Sequence, residues 1–265
     1  MPFSVKDSPV LIVDVGNTNI VCALFEDSSI ITVHRFETKA DSSLEDYHHQ
    51  FQAAIPGYCD ITHVAIGSVV PEVGDTVKAM FSRMTGAKVY QINGLSPIGL
   101  TYATDNPEKI GADLVANALA AWKLYASHTI VVDLGTATTI QLISDSGYYA
   151  GVAIIPGLKT AAAHLFEHAA LLSEVKLEVP AFLLGNNTHD ALLTGIVRGH
   201  ALMIQAFIES IRSQYPDYAP CRVILTGGLA QIIKDLVPGD YILDSQLTLK
   251  GFHLALMTLM EQELR

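Results

Sequence analysis

The strongest constraint on the fold of this chain is that its sequence is written twice. The stretch IVDVGNTNIVCALFEDSSI from Ile12 is echoed 119 residues later by VVDLGTATTIQLISDSGYY from Val131. Asp14 aligns with Asp133, Gly16 with Gly135, Asn17 with Thr136 and Asn19 with Thr138. Each copy reads as an apolar strand, a tight glycine turn and a returning strand. A looser echo relates HVAIGSVVPEV from His63 to RVILTGGLAQI from Arg222, both apolar strands entering a small-residue turn before a helix. Internal repetition on this scale implies two related halves, and 265 residues suffice for two domains that each bury a core.

Between these landmarks the pattern alternates strands and helices. Strands are expected from Val10, Val64, Thr129 and Val223. In Ala112–Ser127, the residues Leu114, Ala118, Ala121, Trp122 and Tyr125 recur at helical spacing, and Val115 and Leu119 widen the stripe. Further helices are expected over Asp190–Ser213 and Lys250–Leu264, and another after the turn at Pro156-Gly157. With no low-complexity or proline-rich linker, the boundary falls near Ala126–Thr129, giving domains 1–126 and 127–265.

A carboxylate closing an apolar strand is costly unless its charge is compensated, by several kcal/mol for an isolated buried ion. A cation is the natural partner. The glycine that follows lets backbone N–H groups approach phosphate oxygens, and Asn and Thr side chains add neutral donors. A single Asp-x-Gly hairpin is an ordinary turn, but two at matching positions resemble the acetate kinase, sugar kinase, Hsp70 and actin superfamily. That resemblance implies an α/β fold of duplicated RNase H-like (actin-like ATPase) domains, each a mixed sheet flanked by helices, which close on ATP.

The rest of the composition narrows the partners. Charged residues make up only 16% of the chain and the net charge is −11, so no basic footprint for nucleic acid or an anionic membrane is present. The low charge implies apolar surface covered by a partner. Cys22, Cys59 and Cys221 are widely spaced, which supports neither a disulfide framework nor zinc. With no signal-peptide pattern in MPFSVKDSPV and no run of about 18 apolar residues, a cytoplasmic protein without a membrane span is expected. His164 and His168 stand four apart on an expected helix, but no third ligand is apparent, so a solvated face is expected there and no metal. His48 and His49 read as surface, and no G-x-S-x-G elbow supports a hydrolase.

One segment is more specific than the fold. DNPEKIGADLVANALAAW, Asp105–Trp122, stands before the second hairpin, and with it the chain resembles type III pantothenate kinases. The match runs in order through DVGNTN at Asp14–Asn19, SVVP at Ser68–Pro71, DNPEKIGAD, DLGTATT at Asp133–Thr139, PGL at Pro156–Leu158, GNNT at Gly185–Thr188, TGGLA at Thr226–Ala230 and LTLKGF at Leu247–Phe252. The resemblance implies phosphorylation of pantothenate by ATP-magnesium, with Asp113 as general base, ionised at a helix N-terminus.

The same resemblance implies the other roles. Asp14, Val15, Gly16, Asn17, Thr18, Asn19, Ile20 and Val21 would line the ATP phosphates, with Asp14 orienting magnesium through water. Thr136 would contact a phosphate, TGGLA would lie near the adenosine, and Asp133 would hold a monovalent cation, potassium or ammonium. Gly111, Ala112, Asp113 and Leu114 would contact pantothenate, as would Thr188 near the interface of a homodimer. Two departures stand out. Leu114 occupies the place of an arginine that could pair with the substrate carboxylate, and Thr104 replaces a common aromatic. The first leaves three outcomes open: another compensating cation, weaker substrate binding, or a regulatory role like that of Bvg accessory factor relatives. An exopolyphosphatase or sugar kinase would share the hairpins but not NPEKIGAD.

Overall fold

The computed structural model describes residues 9–265; the opening residues 1–8, on which most of the signal-peptide reading rested, lie outside them. The chain divides into two units. The first comprises the described residues up to Leu100, with Thr104–Ala120 and Thr248–Arg265; the second comprises Thr101–Ala103 and Ala121–Leu247. This differs from the expected break near residue 126. The division falls inside a helix, and the C-terminal helix returns to the first unit.

The first unit is built on strands β1 (Val10–Val15), β2 (Asn19–Glu26), β3 (Ser29–Glu37), β4 (His63–Ser68) and β5 (Lys88–Ile92), in the order β3-β2-β1-β4-β5. β1, β2 and β3 pair antiparallel, while β4 and β5 run parallel to β1. β1 is rich in branched residues and buried on both faces, whereas β3 alternates in exposure as an edge strand does. On one face Leu11, Val13, Val15, Val64 and Ile66 pack with Phe51, Val73, Val77 and Phe81, from helices α1 (Leu44–Ala54) and α2 (Pro71–Met80) and the turn after α2. A capping box between Ser43 and Asp46 starts α1, and Pro71 sits in the first turn of α2, where its missing N–H costs nothing.

Helix α3 (Ala112–Tyr125) meets the C-terminal helix (Leu247–Glu263) in the same unit. A Cβ on Gly251 would lie 1.9 Å from the Ala116 carbonyl oxygen, so glycine and alanine are what let the two backbones approach. Thr248 also donates to Asn117 Oδ1 at 2.8 Å. Phe252 lies over Gly67 of β4 and His253 stacks on Phe25 at 4.3 Å between centroids. Every residue of α3 from Leu114 to Ala121 is buried, which explains a helix apolar on most of its circumference.

The second unit repeats the plan. Strands β6 (Thr101–Tyr102), β7 (Thr129–Leu134), β8 (Ala137–Ile143), β9 (Tyr148–Pro156), β10 (Arg222–Thr226) and β11 (Ile242–Leu243) form the order β11-β10-β7-β8-β9-β6. Without β6 this is the first sheet again, with the same antiparallel hairpins and parallel neighbours. Even the irregularities match, since both second strands shift register, at Leu24/Phe25 and at Leu142/Ile143.

The registers correct the ungapped alignment in one place. Val15 pairs with Ile20 but Leu134 pairs with Thr138, so the second turn is one residue shorter. Gly16 N–H reaches Asn19 O and Gly135 N–H reaches Ala137 O, both at 3.0 Å. Asn19 therefore corresponds to Ala137 and not to Thr138, because the deletion in the turn shifts everything after it.

Helix α4 (Leu158–His168) follows β9, and an irregular stretch leads to α5 (Thr188–Leu193) and α6 (Gly199–Gln214), joined by a π-helical turn at Thr194–Arg198. Thr188–Gln214 is long and apolar enough to cross a membrane by length and composition, with a mean hydropathy of 1.5, although polar residues interrupt it and no continuous apolar run marks it in the sequence. Its Leu193, Val197, Ala201, Ile204 and Ile208 pack with Ile130, Val132 and Leu225 of the second sheet. That packing accounts for one apolar face of the stretch, about a third of which is buried (33%).

Candidate active site

Asp14 and Asp133 occupy the same position in the two sheets, one residue before the end of the first strand, and both are half-buried. Their neighbours differ. Asp14 pairs with Val21 on one side and Gly67 on the other, and the space a Gly67 side chain would fill is taken by the Phe252 ring. Asp133 pairs with Thr139 and Thr226. Directly paired residues project from the same face, so Asp133 is flanked by two hydroxyls and Asp14 by apolar groups.

The hydroxyls of Thr139 and Thr226 are buried without a hydrogen-bond partner among the described residues. Buried polar atoms are seldom left so, and two in one row with a carboxylate leave room for a further polar group. Gly227 follows at φ +88, and a Cβ there would stand 2.4 Å from Asp133 Oδ1. Carboxylate and hydroxyl oxygens form a hard donor set, which fits an alkali cation better than a transition metal. Neither hydroxyl was singled out from the sequence, although Thr139 and Thr226 lie at the edges of the DLGTATT and TGGLA motifs.

The hairpin turns are held from behind. Thr38 donates its side-chain hydroxyl to Gly16 O and its N–H to Thr18 O, at 2.7 and 3.0 Å. In the second unit Thr160 Oγ1 and Gly157 N–H both donate to Thr136 O, at 2.7 and 3.1 Å. Asn17, Thr18 and Thr136 remain exposed at the tips, while Val15 and Ile20 are buried at the base and Val21 is half-buried. The tips can thus offer donors to an anion, whereas Val15 and Ile20 contribute backbone alone.

Asp113 lies in the first turn of α3, half-buried, with Oδ1 accepting from Leu114 N–H at 2.8 Å. The carboxylate curls over Gly111, where a Cβ would come within 2.5 Å of it. Burial pushes its pKa above the ordinary carboxylate range, and the backbone N–H bonds oppose the shift in part. The helix N-terminus therefore does not dominate its ionisation: desolvation is the larger effect. Gly111, Ala112, Asp113 and Leu114 are brought together as one turn, but Leu114 is only 7% exposed.

Thr188 opens α5 and is exposed. Asn187 caps the helix by accepting from Asp190 N–H at 3.0 Å. Gly185, Asn186, Asn187, Thr188 and Leu192 line a hollow of about 480 Å³. The π-helical turn fixes its approach, with Thr194 Oγ1 donating to Phe182 O and Arg198 to Pro180 O.

Two carboxylate-bearing hairpins on duplicated sheets define the class of actin-like and sugar-kinase folds, and a ROK family glucokinase from Streptomyces griseus, solved with glucose and AMPPNP, has a similar structure. It is 14% identical with a TM-score of 0.56, covering 92% of this chain and 98% of that one. A Baf family transcriptional activator from Campylobacter jejuni is 20% identical with a TM-score of 0.60, over 96% of this chain and all of that one. Both likenesses speak to the fold. Within that class the chain belongs to the type III pantothenate kinase family, whose model matches residues 10–210. The type III pantothenate kinase of Thermomicrobium roseum is 35% identical over 93% of this chain and 96% of its own length.

Proposed function

We propose that this chain is an ATP-dependent kinase that phosphorylates pantothenate to 4′-phosphopantothenate, the first step towards coenzyme A. The observation that carries this reading is the family match, which spans both hairpins and the Asp113 turn. Phosphoryl transfer asks a protein mainly for positioning and charge stabilisation, together with a base for the attacking hydroxyl. Asp113 is that base: its raised pKa brings it nearer the operating pH, where a general base works best.

The donors of Gly16, Asn17, Thr18 and Asn19 hold the ATP phosphates, and Thr136 binds a phosphate oxygen. Magnesium, oriented by Asp14 through water, neutralises developing phosphate charge when bound. Asp133, with Thr139 and Thr226 beside it, holds potassium or ammonium. Pantothenate lies along Gly111, Ala112, Asp113 and Leu114 and against Thr188. Leu114 brings no donor for its carboxylate.

A homodimer fits the exposed apolar residues of the second unit. Leu171, Phe182, Leu183 and Leu184 stand out on the irregular stretch before α5, and Val152 and Ile154 on β9. Exposed apolar clusters of this kind mark interaction surfaces. The unpaired cysteines accord with a reducing cytoplasm.

The test is a coupled ATP-turnover assay with pantothenate in potassium and then in sodium buffer. Turnover that requires both pantothenate and potassium is expected. Turnover without pantothenate, or none at saturating substrate in potassium, sinks the proposal.

A further inference from the structure

Outside the proposed active site, potential metal ligands gather at the end of α4. His164 and His168 are one helical turn apart, and their rings lie 4.1 Å from each other between centroids. Glu167 completes the group: ligand atoms of all three lie within 4.8 Å of one another, and all three side chains are exposed. The spacing of the two histidines was evident in the sequence, but the third ligand was overlooked because it is their immediate neighbour. Positions i, i+3 and i+4 share one helix face.

A second feature prepares the site. His168 Nδ1 lies 3.0 Å from the backbone oxygen of His164. A carbonyl only accepts, so in the neutral ring Nδ1 carries the proton and Nε2 presents its lone pair. That is the arrangement by which a backbone carbonyl orients a metal-ligating histidine. The cluster also closes a helix of 11 residues, and the negative end of a helix dipole favours a bound cation.

We propose that His164, Glu167 and His168 form a three-ligand site for a borderline divalent transition cation, Zn²⁺ or Ni²⁺, with water in the remaining positions. Two imidazoles and one carboxylate suit these ions, and the three ligand atoms already lie within 4.8 Å of one another. Magnesium, which prefers oxygen ligands, is a poor competitor. Because imidazole must be neutral to bind, affinity falls as the pH falls.

The experiment is equilibrium dialysis of the untagged full-length chain against ZnCl₂ at neutral pH, with metal content measured directly. One bound Zn²⁺ per chain is expected. His164→Ala and His168→Ala each weaken binding by roughly tenfold or more, at least the effect of losing an outer-shell partner, and Glu167→Gln weakens it less. His49→Ala, an exposed histidine in the first unit, leaves binding unchanged. All four positions are exposed, and circular dichroism checks that each variant is folded. No binding by the native chain up to about 1 mM Zn²⁺, a Kd that corresponds to only about 4 kcal/mol, overturns the proposal. So does unchanged affinity in the His164→Ala/His168→Ala double variant.

Discussion

Replacing Asp113 with Asn separates two effects that the structure sets against each other. Asn matches Asp in shape, so its side-chain oxygen can still accept from Leu114 N–H and the group still fits over Gly111. What disappears is the capacity to take a proton. General-base catalysis contributes about 10²–10⁴ in rate, so kcat should fall by that factor, or by about 3–5 kcal/mol in barrier height. Stability should move the other way. Burial raises the folded-state pKa of Asp113 above its unfolded value, so between the two values the folded state binds more protons than the unfolded state. Stability then falls as pH rises through that window, and at neutral pH the ionised carboxylate is a net cost that Asn removes. The variant should therefore melt higher than the native protein at pH 7. The difference should shrink to nothing below the ordinary carboxylate pKa of about 3.9. The assay pairs initial rates at saturating ATP and pantothenate with thermal melts from acid to neutral pH. Retention of kcat within about tenfold would remove Asp113 from the role of base, since that lies below the range general bases supply. A lower melting temperature at pH 7 would show that the N–H bonds outweigh burial.

Three further outcomes follow from the same geometry. Thr226→Val removes a buried hydroxyl without a protein partner, so urea melts should change little, while the potassium concentration for half-maximal rate should rise about tenfold, the scale of one lost oxygen ligand worth about 1.4 kcal/mol. Phe252→Ala empties the space over Gly67 and should destabilise the protein by about 3–5 kcal/mol in denaturant melts. Leu114→Arg places a cation where the native side chain is buried; the melting temperature should drop, and the KM for pantothenate should fall if the guanidinium pairs with its carboxylate.

The repeated Asp-Gly hairpin was legible in the sequence because its physics is local: a continuous apolar run, a carboxylate and a glycine turn are all read within ten positions. The strands expected from Val10, Val64, Thr129 and Val223 begin at Val10, His63, Thr129 and Arg222. What was not legible depends on contacts distant in the chain. Helix Leu247–Glu263 belongs to the first unit because Gly251 fits against Ala116 and Phe252 against Gly67, pairings that no periodicity announces. The one-residue shortening of the second turn was hidden because Thr138 resembles Asn19 more closely than Ala137 does. The hydroxyls of Thr139 and Thr226 read as ordinary strand residues until strand order sets them either side of Asp133.

That strand order also accounts for how a duplication can serve two purposes. Two copies of one hairpin begin with the same carboxylate at the same register, and identical surroundings would favour the same ion in both. Here the neighbours decide. Beside Asp133 the paired residues are Thr139 and Thr226, whose hydroxyls are buried; such a row would suit the monovalent cation proposed there. Beside Asp14 the paired residues are Val21 and a glycine roofed by Phe252, so its row adds no oxygen ligand. The magnesium proposed at Asp14 dehydrates reluctantly and usually keeps several waters, so it asks for few protein ligands. The aromatic ring over Gly67 comes from the last helix, the element that breaks the symmetry of the two halves by returning to the first.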